Sequence, residues 1–253
     1  MDILVCVKRV PGTGSSIPLT PDNLNVDTKH LGFTVGPHEE CAIEEAVQIA
    51  TRTGGTATVL TVGPQQAEEQ LRYAMSMGMH DGVLVDSGEE EWDPQATAAA
   101  IVEAIGALSL TFDLVLFGNE TPDAGNYQVG VRVACALGLP LVGGIKGIEF
   151  DDEQRSARFR RDVAAGIEVY EAALPAAAAV KEGLNLPRYP TIRGRLHAKK
   201  AQLRTFTPTH RSGGLTKVRL HQPPPQANET VFLGEGEQAA AAVVDVFEEL
   251  EVM

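Results

Sequence analysis

The sequence predicts an α/β fold with an open, mainly parallel sheet, antiparallel additions and a C-terminal arm. Three observations lead to this prediction. Through residue 145, short apolar runs rich in β-branched residues alternate with helical patterns, as in βαβ units. Residues 144–180 then show the alternation of β-hairpins. From Asn185 onward, about 50 residues lack periodicity, which is too long for an ordinary connection within a compact domain.

The elements of the first half follow one another in regular alternation. Four apolar runs predict strands: 3–7, 56–62, 82–86 and 113–120. Four segments between and after them predict helices: 39–55, 64–78, 93–108 and 126–138. Asp93 at the N-cap and Pro94 in the first turn mark the start of the third helix. Because a helix separates consecutive strands, this part of the sheet is expected to be parallel.

The second half of the chain departs from this alternation. Within residues 144–180, the stretch IEVYEAAL alternates apolar and polar residues, which predicts antiparallel strands that continue the sheet. The irregular chain after Asn185 is typical of an arm that packs on a partner. A last helix is predicted over 235–250. These features divide the chain into an α/β domain, 1–184, and an extension, 185–253.

The bulk composition argues against several classes of protein. The formal net charge is −13, so bulk binding of nucleic acid is not expected. No run of about 18 apolar residues exists, so no membrane insertion is expected. The start MDILVCVKRV is typical of a first strand and not of a targeting peptide. Three widely spaced cysteines, Cys6, Cys41 and Cys135, indicate a reducing compartment without a disulfide framework or a paired metal motif. We therefore expect a cytoplasmic protein.

One segment opposes the acidic character of the rest. Arg188 to His221 contains nine Lys and Arg and no Asp or Glu. Such a segment either covers acidic surface of its own protein or attracts an acidic partner, and the residues alone leave both possibilities open. Nucleic-acid binding through it is disfavoured, because only Tyr189 and Phe206 offer rings for base stacking.

The candidate ligand site lies where the parallel strands end, since ligands of open α/β sheets bind there. The end of the fourth strand carries GNETPDAGNYQVG (118–130), a loop of small residues that leads into a helix. Free amides at that helix N-terminus suit a phosphate, whereas the alternative is an ordinary turn with Asp123 as a helix cap. No P-loop, GxSxG or paired acid and base stands out. The sequence therefore predicts a nucleotide site without a catalytic group.

Five segments, taken in order, resemble blocks of one known family. They are VCVKRVP (5–11), VGPHEECAIEEAVQI (35–49), VLTVGP…LRYAMSMGMHDGVLV (59–85), DLVLFGNETPDAGNYQVG (113–130) and LPAAAAVKEGLNLPRYPTIRGRLHAKK (174–200). The fourth is similar to the pattern D-L-[VI]-L-x-G-x-Q-x-x-D-x-D-x-x-Q-[TV]-G. Together they resemble the β subunit of electron transfer flavoprotein (ETF), which implies a Rossmann-like sheet of the adenine nucleotide alpha hydrolase-like type.

The resemblance also implies a role as an electron carrier and not as an enzyme. The chain would form a heterodimer with an ETF α subunit that holds most of an FAD. The pair would pass electrons from flavin dehydrogenases, such as acyl-CoA dehydrogenases, to a quinone reductase or another acceptor. In this family the β subunit usually holds a buried, structural AMP.

The nucleotide contacts are carried over from the resemblance position by position. They are Cys6, Gly36, Pro37, His38, Glu39, Val62, Asp123, Ala124, Gly125, Asn126, Tyr127, Gln128, Val129, Gly130 and Ala134. His38 stands where many members place an aromatic residue against the FAD of the α subunit. Gly12, Gly36 and Val129 depart from the usual Asp, Asn and Thr. Because Val at the last position also occurs in members that bifurcate electrons with a second FAD, the resemblance leaves AMP and FAD as alternatives.

The start of the basic segment resembles the loop with which the family docks on dehydrogenases. We call residues 188–200 the recognition segment. Ile192 stands at the position of the apolar anchor, and the residues around it that would face the partner are Arg193, Arg195, Leu196, Lys199 and Lys200. An anchor in a partner pocket gives specificity, while the basic side chains steer encounters with acidic surfaces.

Two functions of other classes remain open for the same kind of domain. One is an adenine-nucleotide sensor, against which the long basic arm argues. The other is a nucleotide alpha hydrolase or transferase, against which the lack of a paired acid and base near GNETPDAGNYQ argues.

Overall fold

The computed structural model describes residues 1–12, 17–151, 153, 155–209, 214–222, 224 and 230–252. Two compact units can be separated, Met1–Arg219 and Leu220–Met253. The first holds the sheet and the candidate site. The second holds the C-terminal helix predicted from the sequence. The division after residue 184 stays a prediction.

The strands, numbered along the chain, are short and mostly buried in the first unit. They are β1 (Ile3–Val7), β2 (Val10–Pro11), β3 (Phe33–Thr34), β4 (Ala57–Gly63), β5 (Asp81–Asp86), β6 (Leu114–Gly118), β7 (Leu141–Ile145), β8 (Gly147–Phe150), β9 (Ser156–Val163), β10 (Gly166–Ala173), β11 (Ala176–Val180) and β12 (Arg204–Phe206). The four strands predicted for the first half are confirmed as β1, β4, β5 and β6.

Seven of these strands form the central sheet in the order β12-β5-β4-β1-β6-β11-β7. Every neighbouring pair in it is parallel. The predicted α/β class with an open parallel sheet is therefore confirmed. The antiparallel strands differ from the expectation in one respect: β8, β9 and β10 do not extend the central sheet but form a separate three-stranded sheet. Alternation of polar and apolar residues predicts a strand but not the sheet that it joins.

Six α-helices occur among the described residues. They are α1 (Pro37–Thr53), α2 (Glu68–Met77), α3 (Pro94–Ala107), α4 (Val129–Leu137), α5 (Ile192–Lys200) and α6 (Ala239–Glu249). The start of α3 is capped as predicted, because the Asp93 carboxylate accepts the amides of Gln95 and Ala96 at 2.6 and 2.9 Å. Within the described ranges, no helix is long and apolar enough to cross a membrane.

The central sheet is covered on both faces because side chains of a strand alternate between them. On one face Ile3, Val5 and Val7 of β1 belong to the cluster that includes buried residues of α1 and α2. On the other face Leu4 and Cys6 belong to the cluster that includes α3 and α4. A strand buried on both sides has no polar face, which explains the unbroken apolar run ILVCV.

The segment after Asn185 is more regular than the sequence indicated. Helix α5 packs on α2 through small residues: Ala198 is buried, and a Cβ at Gly194 would collide with the carbonyl oxygen of Ser76. Strand β12 adds an edge to the central sheet, where Thr205 pairs with Leu84. Because α5 packs on α2 through Gly and Ala, it has no large apolar residues on its inner side, and helical periodicity did not reveal it.

Candidate functional site

The order of the strands creates a switch point beside β1. From β1 the chain passes through α1 to β4 and through α2 to β5, moving toward one edge of the sheet. It returns through α3 to β6, which pairs with β1 on the opposite side. Ligands of open α/β sheets bind outside the carboxyl ends of the strands at such a point. The ends of β1 and β6 therefore mark the candidate nucleotide site.

A cavity of about 400 Å³ lies next to the end of β6. Its lining comes from the start of α1 and from the loop between β6 and α4: Pro37, His38, Glu120, Thr121, Pro122, Asp123, Ala124 and Gly125. Five of the predicted contacts thus lie together, namely Pro37, His38, Asp123, Ala124 and Gly125. The volume falls within the range of small-molecule sites, about 300–1,000 Å³.

The first turn of α4 offers backbone amides at this edge of the sheet. Its N-cap is Gln128, and no side chain in the described part of the chain caps the turn. The Gln128 side-chain oxygen instead accepts the Arg132 guanidinium at 3.0 and 3.2 Å. Asp123 is not a cap either, so the interpretation of this loop as a turn capped by Asp123 is wrong. Uncapped amides at a helix N-terminus form a site for an anion such as a phosphate.

Asp123 instead belongs to an ion pair between the two strand ends. Its carboxylate accepts Lys8 Nζ at 2.5 Å and the Ala124 amide at 2.7 Å. Burial alone would raise the pKa of Asp123, but the charge and hydrogen bond of Lys8 outweigh it and hold the pKa below its ordinary value. The pair fixes the loop after β6 to the loop after β1.

Two glycines allow close packing around the site. A Cβ at Gly130 would lie 3.1 Å from the Phe117 ring, and a Cβ at Gly118 would lie 2.5 Å from Glu39 Cγ. Any larger residue at Gly118 would displace Glu39. These approaches explain why small residues are needed at the end of β6 and at the start of α4.

Glu39 is buried beneath the cavity and holds two backbone segments together. Its two carboxylate oxygens accept the Lys8 amide at 2.7 Å and the Gly36 amide at 2.9 Å. Burial raises the pKa of Glu39 to about 8, although both amides and the Lys8 charge act in the opposite direction. With one backbone amide on each oxygen, Glu39 positions the start of α1.

The other predicted contacts do not line the cavity. Cys6 and Ala134 are buried in the apolar cluster on the α3 and α4 face, and Val62 packs against the same cluster. Burial, together with the nearby charge of Glu39, raises the pKa of the Cys6 thiol, so it stays protonated at neutral pH. Asn126 lies in the loop before α4, and Val129 is the first residue of that helix.

One group of polar side chains surrounds the mouth of the cavity. His38 Nε2 lies 3.9 Å from Glu120 Oε1, and the Tyr127 hydroxyl donates a hydrogen bond to Glu120. Tyr127 has φ +55°, in the left-handed region that is uncommon for residues other than glycine. His38 Nδ1 is buried and has no hydrogen-bond partner among the described residues. A buried nitrogen of this kind needs a hydrogen-bond partner, which an ordered water or a ligand supplies.

These features fit a ligand that carries a phosphate and hydroxyl groups. The uncapped turn of α4 suits a phosphate, while the Glu120 and Asp123 carboxylates suit hydroxyl donors such as those of a ribose. His38 Nδ1 supplies a further polar contact. No group of three or more His, Cys, Asp or Glu side chains suited to a metal ion occurs in the described ranges.

The recognition segment presents apolar side chains to solvent. Tyr189 is 92% exposed, Ile192 is 82% exposed and Leu196 is 58% exposed. Ile192 and Leu196 are one turn apart on α5, so they form a ridge on one side of the helix. The opposite side, with Gly194 and Ala198, faces α2. The predicted anchor is thus on the exposed side.

Two clamps hold the recognition segment against the first unit. At its start, the Arg188 guanidinium donates to both oxygens of Glu44 on α1, at 2.7 and 2.8 Å, and the Arg188 amide adds a third bond at 3.1 Å. At its end, Arg72 of α2 donates to the carbonyls of Ala198 and Ala201 at 2.7 and 3.2 Å. Both clamps fix backbone and leave the ridge free.

The basic residues of the segment divide into two groups. Arg188 pairs with Glu44 of its own protein. If the segment only covered acidic surface of this protein, all of its basic residues would be paired in this way. The remaining four make no salt bridge with any described residue: Arg193, Arg195, Lys199 and Lys200. Their charges are therefore available to a partner.

Several residues at these sites were missed from the sequence. Glu120 lines the cavity beside β6, and Lys8 pairs with Asp123 of the same lining. Glu44 and Arg72 hold the recognition segment against the first unit. Lys8 and Glu120 follow strand ends, so their position at the ligand edge was a usable signal. The two clamps had no such signal, because their partners lie 144 and 126 residues apart in the chain.

Comparisons with known proteins agree with this geometry. The model of the electron transfer flavoprotein domain matches residues 23–210. The ETF β subunit of Bacillus subtilis (strain 168) is 34% identical over 203 residues, covering 80% of this chain and 77% of that protein. The β subunit of Mycobacterium tuberculosis (strain ATCC 25618 / H37Rv) is 34% identical over 212 residues, covering 81% and 79%. The β subunit of Megasphaera elsdenii is 31% identical over 261 residues, covering 97% and 96%.

These matches cover most of the chain and most of each relative. The domain match, residues 23–210, includes the loop after β6 and the whole recognition segment. The chain therefore belongs to the electron transfer flavoprotein family, and the relatives that it matches over most of its length are β subunits.

Proposed function

We propose that this chain is the β-type subunit of a heterodimeric electron carrier. It would hold an adenine nucleotide between the ends of β1 and β6 and present α5 to flavin dehydrogenases. An FAD held mainly by the α-type subunit would supply the reversible uptake and release of electrons. The residues of this chain would bind and orient the nucleotide and the partner.

The recognition segment is the observation that supports this role over a sensor. An adenine-nucleotide sensor needs the cavity beside β6 but has no use for an exposed ridge with four unpaired cations. A carrier needs such a surface, because it must find several redox partners and leave them again. Apolar anchors provide affinity in a small interface, and surrounding charges accelerate transient encounters.

AMP is the nucleotide that we favour for the cavity beside β6. The amides of α4 supply the anion contacts, so the absence of a hydroxyl at Val129 does not remove the phosphate site. His38 Nδ1 and the two carboxylates at the mouth of the cavity supply the polar contacts for the remainder of the nucleotide. A second FAD at the same place, with electron bifurcation, is the alternative that Val129 keeps open.

Release of the bound nucleotides decides between these proposals. The chain would be co-expressed with its α-type subunit, and the nucleotides would be extracted from the purified heterodimer and quantified by chromatography. One FAD and one AMP per heterodimer supports a simple carrier, whereas two FAD supports bifurcation. A chain that is stable alone and binds adenine nucleotide reversibly would instead support the sensor and overturn the carrier.

The acceptor and the donors require a second experiment. Reduction of the heterodimer by a panel of acyl-CoA dehydrogenases and reoxidation by a quinone reductase would be followed through the flavin absorbance. Transfer in both steps supports the proposed place between dehydrogenase and quinone reductase. A heterodimer that no flavin dehydrogenase reduces would contradict it.

A further inference from the structure

A second cavity, of about 560 Å³, lies directly beside the recognition segment. One wall is the end of α2 and the turn after it, residues 75–80, and the other wall is formed by residues between 188 and 197. We propose that this cavity receives an acidic side chain of the docked redox partner. The proposal rests on the proposed docking function and assigns Arg193 and His197 a role different from that of the other basic residues.

The charge of the lining supports an anionic occupant. In the described part of the chain, the cavity is lined by Arg188, Arg193, His80 and His197 but by no Asp or Glu. Arg188 is already neutralised by Glu44. Arg193 makes no salt bridge with the residues that the structure describes, so its positive charge has no partner among them. A carboxylate that enters would find a charged donor without displacing an existing pair.

The histidines add neutral donors to the same space. His80 Nδ1 accepts the Ala57 amide at 3.0 Å, so the proton of a neutral His80 ring is on Nε2. His80 therefore offers an N–H donor in its neutral form. His197 lines the opposite wall, on α5. A carboxylate accepts up to about four hydrogen bonds, which this set of donors suits.

The remaining lining favours a side chain over a free inorganic anion. Met75, Met77 and Met79 line the wall formed by residues 75–80, and all three are largely buried in the core. Because they are only 2–3% exposed, they offer little surface to an occupant; the exposed ring of Tyr189, which also lines the cavity, suits the methylene groups of a Glu or Asp side chain and not a fully hydrated ion. Ile192 stands on the same short segment, so a partner that covers the ridge would also reach the cavity.

The position of the cationic residues provides the matched control. Arg193 lines the cavity, whereas Lys199 lies two turns further along the same helix and does not line it. Both carry one positive charge and neither has a salt bridge. Long-range electrostatic steering should weaken equally when either charge is removed, because it depends on charge and not on a specific contact. Capture of a carboxylate distinguishes them.

The test uses the heterodimer and an acyl-CoA dehydrogenase that reduces it. Association and dissociation rates would be measured by surface-based binding for Arg193→Gln, His197→Gln, Lys199→Gln and Ile192→Ala, at low and high salt. We expect Arg193→Gln to raise the dissociation rate about tenfold and to keep most of that effect at high salt. We expect Lys199→Gln to lower the association rate a few-fold, with the effect lost at high salt.

Each outcome separates the cavity from the docking surface. If Ile192→Ala weakens binding while Arg193→Gln and His197→Gln behave like Lys199→Gln, docking stands and the carboxylate cavity is refuted. If Ile192→Ala also leaves binding unchanged, the docking function itself fails. If Arg193→Gln lowers the stability of the heterodimer and leaves dehydrogenase binding intact, the cavity faces the α-type subunit and the inference is overturned.

Discussion

Truncation of Ile192 to Ala is the sharpest test of the recognition segment. Complete burial of an aliphatic side chain contributes about 1.5–3 kcal/mol. Because 82% of Ile192 is exposed, nearly all of that contribution is still available to a partner. We expect Ile192→Ala to weaken the complex with the dehydrogenase by about 2 kcal/mol, which is roughly thirtyfold in Kd. The stability of the free heterodimer should change by less than about 0.5 kcal/mol, as for other exposed positions.

The assay measures both quantities on the same preparation. Electron transfer from reduced dehydrogenase would be followed at several concentrations of heterodimer, together with the flavin absorbance spectrum and the thermal midpoint. Ile167→Ala is the matched control, because it removes the same atoms from an exposed position, 66% accessible, on the separate three-stranded sheet. We expect the control to leave the concentration dependence of electron transfer unchanged.

One result would refute the reasoning. If Ile192→Ala lowers the thermal midpoint or loosens the flavin while the affinity for the dehydrogenase is unchanged, the ridge is covered within the heterodimer. The recognition segment would then be packing for the α-type subunit, and its basic residues would have to be explained by that contact.

Three further predictions concern Gly130, Glu44 and Glu39. Gly130→Asp should abolish nucleotide retention, whereas Gly130→Ala, which meets the same Phe117 ring without a charge, should retain most of it; equal loss in both would assign the effect to packing. Glu44→Gln should destabilise the protein by about 1–3 kcal/mol at neutral pH, measured by denaturant unfolding. Burial would raise the pKa of Glu44, but its bonds to Arg188 outweigh burial and hold the pKa below 4.5 in the folded state. The contribution to stability is therefore present above about pH 4.5 and is lost as the pH falls further. Glu39 has the opposite sign: its pKa is raised to about 8, so the wild type should lose stability as the pH rises from 4.5 to 8, and Glu39→Gln should flatten that decline in thermal midpoints.

The central fold was predictable because its elements follow simple periodicities. The run predicted over 82–86 is observed as Asp81–Asp86, and the helix predicted over 93–108 is observed as Pro94–Ala107. The fourth helix was predicted to begin at residue 126 but begins at Val129. Tyr127 is in a left-handed conformation, which a helix cannot continue, and a residue other than glycine gives little warning of it.

The recognition helix was not predictable from periodicity for a physical reason. An amphipathic helix is usually found by its large buried residues, but α5 buries Ala198, places the half-buried Gly194 against α2 and exposes Ile192 and Leu196. Its apolar stripe therefore points away from its own core. The docking role proposed for the segment comes from the resemblance to a family. Periodicity indicated neither its helical form nor its orientation.

The place of the cavity beside β6 was predictable, but its detail was not. Parallel strands bring their carboxyl ends to one edge, so the loops after β1 and β6 were expected to meet. The ion pair of Lys8 with Asp123 joins residues 115 positions apart, and no local pattern indicates it. Cys6, Val62 and Ala134 were also predicted as contacts but do not line the cavity, because their side chains lie in or against the apolar cluster beneath α3 and α4.

Helix α1 contributes buried glutamates both beside the cavity and to the clamp on the recognition segment. A run such as EECAIEEA is usually a solvated face, since Glu is seldom fully buried without a partner. Here Glu39 accepts two backbone amides at the nucleotide site, Glu44 holds Arg188, and Glu45 accepts the Asn185 side chain at 3.1 Å. One helix of 17 residues thus fixes the cavity at its N-terminus and the recognition segment near its middle. In the proposed carrier, α1 would therefore set the position of the nucleotide relative to the docked partner.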